Sequence, residues 1–81
     1  MPKSHFSGSA ASGAAVTPSD STTITQTLGL YVANGGNVTV DMVNVGTNIE
    51  FVGVPNGAIL PIQVNKVYAT GTTATGIVAL W

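Results

Sequence analysis

From Leu28 to the C-terminus the chain alternates short apolar runs with polar, glycine-containing breaks. Leu28–Ala33 is an apolar run carrying Tyr31 and Val32, and Asn34-Gly35-Gly36-Asn37 follows as a turn in which Gly and Asn tolerate positive φ. Val38-Thr39-Val40-Asp41-Met42 alternates strictly, which puts Val38, Val40 and Met42 on one face of a strand. Asn44–Asn48 is a second polar break, and Ile49-Glu50-Phe51 alternates again. Val54-Pro55-Asn56-Gly57 reads as a β-turn with Pro at its second position. Leu60, Ile62 and Val64 mark one face of a further strand, with Gln63 and Asn65 opposite. Pro61 has no N–H for a ladder, so this strand belongs at an edge or starts after the proline. Beyond Lys66 the apolar positions change phase to Val67 and Ala69, which predicts a bulge or corner near Asn65–Lys66. Gly71–Gly76 is a Thr-rich loop, and Ile77-Val78-Ala79-Leu80-Trp81 closes the chain as a last strand. No window has helical spacing. Five to six short antiparallel strands predict an all-β fold, a small β-sandwich or barrel.

Ahead of this pattern the composition is different. Between Ser7 and Thr25, fifteen of nineteen residues are Ser, Thr, Gly or Ala, a segment with almost nothing large to bury against its ordering entropy. The expected organisation is an extended arm over residues 1–26 followed by a β domain over 27–81. Lys3 and the small residues Ala10–Ala15 imitate an export signal, but Phe6–Val16 has no Leu or Ile to form its apolar centre, so the segment reads as part of the mature chain.

Charge narrows the function classes. Only Lys3, Asp20, Asp41, Glu50 and Lys66 are charged among 81 residues, for a formal net charge of −1. Nothing here is a basic footprint for a nucleic-acid backbone. The longest uncharged run, Ser21–Val40, is interrupted by Thr, Gln, Asn and Gly throughout and is no membrane span. With no cysteine there is no disulfide framework and no thiolate zinc site. The one histidine, His5, lies in the arm, where no scaffold would hold a Ser-His-Asp arrangement in line. Asp41 and Glu50 form a carboxylate pair only if they face each other across a hairpin, and two exposed acids on neighbouring strands is the plainer account. Gly71–Gly76 has the glycine spacing of a phosphate loop, but Ile77 and Val78 stand where Lys and Ser or Thr are required. Asn37-Val38-Thr39 matches a glycosylation acceptor without an export signal to accompany it. The expectation is a protein with no enzymatic activity, no cofactor and no metal.

Association is expected instead. Without the arm about 55 residues remain, and domains below roughly 70–80 residues rarely gain more than about 3–5 kcal/mol from their core. Burying apolar surface and sheet edges between copies is the usual remedy, in a symmetric homo-oligomer. A Trp at the end of the chain frays unless it packs, so Trp81 either plugs its own sandwich or meets a partner.

Ala15-Val16-Thr17-Pro18-Ser19-Asp20 with Leu30-Tyr31-Val32 resembles the opening of small head-surface proteins of tailed bacteriophages and gene transfer agents. Phe51-Val52-Gly53-Val54-Pro55-Asn56-Gly57-Ala58-Ile59-Leu60-Pro61-Ile62 is similar to their central strand-turn-strand, and the stretch from Val67-Tyr68-Ala69-Thr70 to Ala79-Leu80-Trp81 to their closing motif. These motifs are turns and apolar strands and so bear on fold and assembly. The resemblance implies a β-rich virion protein on the outer capsid surface that binds the major capsid protein as a homo-oligomer, with a trimer favoured over a pentamer and no nucleic-acid or membrane partner. The chain ends at Trp81 with no downstream domain to carry a fibre, so capsid decoration and cementing is expected ahead of the base of a vertex head spike. The competing class is a host-glycan recognition module in which exposed aromatics grip a sugar. Phe6, Val16, Pro18 and Ile24 are the candidate capsid-binding residues of the arm, and Tyr31, Tyr68 and Trp81 the candidate oligomer interface.

Overall fold

Two antiparallel sheets face each other in a computed structural model that describes residues 10–81. The strands are β1 (Gly13–Ala15), β2 (Gly29–Asn34), β3 (Gly36–Met42), β4 (Ile49–Val54), β5 (Ala58–Leu60), β6 (Val64–Val67) and β7 (Thr75–Leu80). The first sheet has the order β1-β7-β2-β5 and the second β4-β3-β6. The expected all-β class holds, with seven strands instead of five to six and no helix among the described residues.

Alternation along the strands builds the core. Leu30, Val32, Ile77 and Ala79 point inward from the first sheet, and Val38, Val40, Val54, Val64 and Val67 meet them from the second. Every side chain there is aliphatic; Phe51 and Trp81 pack only on its flanks. Thr39 departs from the pattern, being 2% exposed although Val38 and Val40 also face inward. The loop after β6 lies over it: the Thr39 hydroxyl donates to the Gly71 carbonyl (3.0 Å), and its N–H donates to the Thr72 hydroxyl (3.0 Å).

Two connections differ from the sequence-based expectation because they change sheets. Leu60, Ile62 and Val64 do not share one strand. Leu60 ends β5, paired with β2, whereas Val64 opens β6, paired with β3. Pro61 cannot continue a ladder, and the Ile62 N–H donates back to the Leu60 carbonyl (2.8 Å), turning the chain across the sandwich. Asn34-Gly35-Gly36-Asn37 likewise carries the chain from β2 in one sheet to β3 in the other. A Cβ on Gly35 would collide with the Val54 carbonyl oxygen, so the corner requires glycine there. The turn after β4 sits one residue later than expected. The Ala58 N–H donates to the Pro55 carbonyl (3.3 Å), which puts Pro55 at the first position and Gly57, at φ 73°, at the third.

The predicted bulge is at Asn65. Asp41 pairs with Lys66 but Met42 with Val64, so Asn65 is the extra residue. A second bulge lies in β4, where Val38 pairs with Phe51 and Gly36 with Val54. Gly53 there has φ 72°.

The segment expected as an arm is extended, but along its described length it is fastened to the sandwich. Gly13–Ala15 adds to the free side of β7. The chain then straps across to β6, donating from Val16 N–H to the Ile77 carbonyl (2.9 Å), from Ser19 to Val67 (2.9 Å), from Ile24 to Asn65 (2.8 Å) and from Thr27 to Val64 (3.1 Å). Such bonds need only main chain, which is why a segment with little to bury is nonetheless held. Thr27, 1% exposed, locks the end of the strap: its hydroxyl donates to the Ile62 carbonyl and accepts from the Val64 N–H, both at 3.1 Å.

The two glycine positions should separate in a stability measurement. Gly35→Ala is expected to cost ~3 kcal/mol through backbone overlap, whereas Gly57→Ala, with open space around its Cβ, should cost only ~1 kcal/mol of left-handed strain. Urea unfolding of both variants checks this, and equal losses would contradict the steric account of the corner.

Candidate interaction surfaces

Of the candidate arm residues, Phe6 lies outside the described residues. Val16 and Ile24 pack on the domain's own core, partly buried. Pro18 is half-buried and with Val16 lines a cleft of about 290 Å³ closed by Ala69 and the loop 72–77. These three residues therefore belong to a strap that the domain itself binds. Between them, Ser19 and Asp20 organise the crossing. The Ser19 hydroxyl oxygen accepts the Ser21 and Thr22 N–H groups (3.3 and 3.2 Å). The Asp20 carboxylate accepts the Thr70 N–H (2.9 Å) and the Thr70 hydroxyl (2.6 Å), and the Lys66 ammonium donates to the Asp20 carbonyl (3.3 Å). Sequence reasoning gave Asp20 no role, because its partner lies fifty residues away with no local signal.

The three aromatics expected at an oligomer interface occupy three separate places. Tyr31 stands on the outer face of the first sheet, paired with Val78 on one side and Ile59 on the other. Tyr68 lies beside the second sheet, where its hydroxyl donates to Asp41 Oδ1 (2.7 Å). Trp81 is held by its own chain: its Nε1–H donates to the Gln26 carbonyl (2.8 Å), and its backbone exchanges bonds with Ala11 and Ser12.

Asp41 is the centre of the polar cluster around Tyr68. Besides that hydroxyl it accepts the Asn48 N–H (2.9 Å), and Asn48 takes φ 55° to present it. Lys66 lies 3.8 Å from the Asp41 carboxylate and 5.0 Å from the centre of the Tyr68 ring. Asp41 and Glu50 are not opposed, since Glu50 pairs with Thr39, so no carboxylate dyad forms. A second cleft, about 280 Å³, is lined by residues 42–45 and 61–63. Neither cleft is lined by a titratable side chain, and no group of three metal-ligating residues occurs among the described residues.

The cluster sets a pH response. The Thr70 hydroxyl, then its N–H, bonds the charged form of Asp20 and holds its carboxyl below the ordinary 3.8. The Tyr68 hydroxyl, then the Asn48 N–H, does the same for Asp41, with a weaker contribution from Lys66. A carboxyl depressed on folding binds its proton less readily in the folded than in the unfolded chain. Its contribution is therefore present above the ordinary carboxylate value and lost as pH falls through the folded value. Tyr68 has the opposite sign: bonding to Asp41 raises it above 10.0, so its contribution is present below that value and lost as pH rises through the folded one. Thermal unfolding should show the midpoint falling from about pH 5 to about pH 2, with a shallower fall in both Asp20→Asn and Asp41→Asn. An acid limb identical in all three proteins would exclude these carboxylates as its source.

No protein-family model matches the chain, and no curated protein does. Among solved structures it is similar to a chain from the capsid of a native GTA (gene transfer agent) particle computed with C5 symmetry. The two are 36% identical with a TM-score of 0.78, and the similarity covers 89% of this chain and 83% of that one. The protein belongs to the same family as this chain of the gene-transfer-agent capsid particle.

Proposed function

We propose that the protein is a structural virion component that decorates and cements the outer surface of a phage-type capsid by binding the major capsid protein as a homo-oligomer. The observation that carries this reading is the 36% identity to a chain of a capsid particle. The geometry is in keeping with it: a small aliphatic sandwich, two clefts without titratable lining, and an N-terminal segment delivered to one end of the first sheet. Because residues 13–27 are bound to their own domain, contact with the shell is assigned to the stretch ahead of β1, which includes Phe6. Several such stretches on one oligomer act multivalently, so each needs only a weak contact.

The base of a vertex head spike is the second reading, and copy number in the particle separates it from the first. A trimer suits threefold sites between hexamers of a shell; a pentamer suits vertices.

Deleting residues 1–9 should abolish co-sedimentation with undecorated capsids while leaving the oligomer and the β-rich circular dichroism unchanged. Full binding by the shortened chain would place the contact elsewhere. Quantitative mass spectrometry of purified particles should give a ratio to the major capsid protein near stoichiometric. A small fraction would mean vertices, and absence from particles would remove the virion reading.

A further inference from the structure

The outer face of the first sheet is built as an interior surface. With Leu30, Val32, Ile77 and Ala79 in the core, strand alternation turns Tyr31, Ala33, Val78 and Leu80 outward. Register adds Ile59 beside Tyr31 and Ala15 beside Val78, so one apolar row crosses all four strands. The Tyr31 hydroxyl is the one polar group of that row and its neighbours, and Ile59 is 53% exposed. An antiparallel sheet with a solvated face alternates apolar with polar, whereas sheets covered on both faces read as continuous apolar runs, as β2 and β7 do. Among the described residues the charges lie elsewhere. Asp41, Glu50 and Lys66 are on strands of the second sheet, and Asp20 is tied to Thr70 and Lys66.

We infer that this face is covered by further copies of the same chain, which converge on the symmetry axis of the oligomer with their first sheets inward. The inference rests on the homo-oligomer of the proposed function and names the surface that joins it. Two arguments select a second copy over the shell. Around a symmetry axis identical groups approach one another, so a charge would meet its own image; this face has none, whereas the open edge of β4 would bring copies of Glu50 together. Composition points the same way. Interfaces that form and part between folded proteins are about as polar as the rest of the surface, while permanent ones between copies are more apolar. A face this apolar has to be covered as soon as the chain folds, when other copies are the partner at hand.

Sedimentation velocity and a thiol cross-link test it on the full chain. Val78→Lys should weaken self-association at least ~30-fold, as expected for a central contact, while Val52→Lys on β4, at a position 72% exposed, should leave it unchanged. Because the protein has no cysteine, Ile59→Cys introduces a unique thiol. A short bis-maleimide should join copies of Ile59→Cys but not of Val45→Cys, whose position is 89% exposed. The cross-link uses a well-folded oligomer and decides the matter even if Val78→Lys does not fold. A wild-type chain that is monomeric at all concentrations, or equal cross-linking of the two cysteine variants, overturns the inference. A monomer that still co-sediments with capsids overturns it and leaves capsid binding standing, whereas an oligomer joined through Ile59 that ignores capsids upholds it and removes the capsid reading.

Discussion

Unpaired main-chain groups along the sides of β6 and β7 are the constraint around which this small sandwich is arranged. Each sheet has only three or four strands, so a large share of the backbone donors and acceptors faces outward from an edge. The chain meets this demand with its own N-terminal segment, which adds a strand to β7 and then runs beside β6. Small side chains suit that task, because they let two backbones approach without having to find space in the core. The cost of ordering the strap is offset by hydrogen bonds spaced along it and by three anchors: Val16 and Ile24 against the core, and Thr27 in a buried position where both its donor and its acceptor are used.

The polar cluster is a second fastening of the same strap. Asp20 holds Thr70, Lys66 holds the Asp20 carbonyl, and Lys66 in turn lies beside Asp41, which holds Tyr68 and Asn48. Five side chains, Asp20, Thr70, Lys66, Asp41 and Tyr68, thus connect the strap, the end of β3, β6 and the loops around them. In a chain with so little charge, these groups are placed where the apolar core cannot reach, and the strands of the opposite sheet carry no charged residue.

That asymmetry gives the molecule two unlike sides. One carries the charged and hydrogen-bonded cluster, with Ile49 and Val52 exposed on β4 beside it; the other is an apolar sheet face. The chain belongs to a family found in a capsid particle, and this division of its surface accompanies that membership.

Fold class, most strand positions and the bulge at Asn65 were legible in the sequence because they depend on alternation with a period of two, which the residues display directly. The similarity to a chain of a gene-transfer-agent capsid particle was legible for a related reason, since the motifs that carry it are turns and apolar strands. Which sheet each strand joins was not. Leu60, Ile62 and Val64 keep one alternation across Pro61, and only the turn in space separates β5 from β6. The strap was hidden because main-chain pairing leaves no mark on side-chain pattern: Gly13–Ala15 reads as linker until β7 lies beside it. Asp20 with Thr70, and Asp41 with Tyr68, were likewise invisible, being contacts between residues far apart in the chain. The sequence by itself determined that the protein is a low-charge all-β domain with a small core, sandwich or barrel. Tertiary structure alone decided that the two sheets pack as a sandwich, that residues 13–27 cover the free sides of β7 and β6, that Tyr31, Tyr68 and Trp81 part company, and that the first sheet's outer face carries no charge among the described residues, because each of these depends on which backbone segments become neighbours in space.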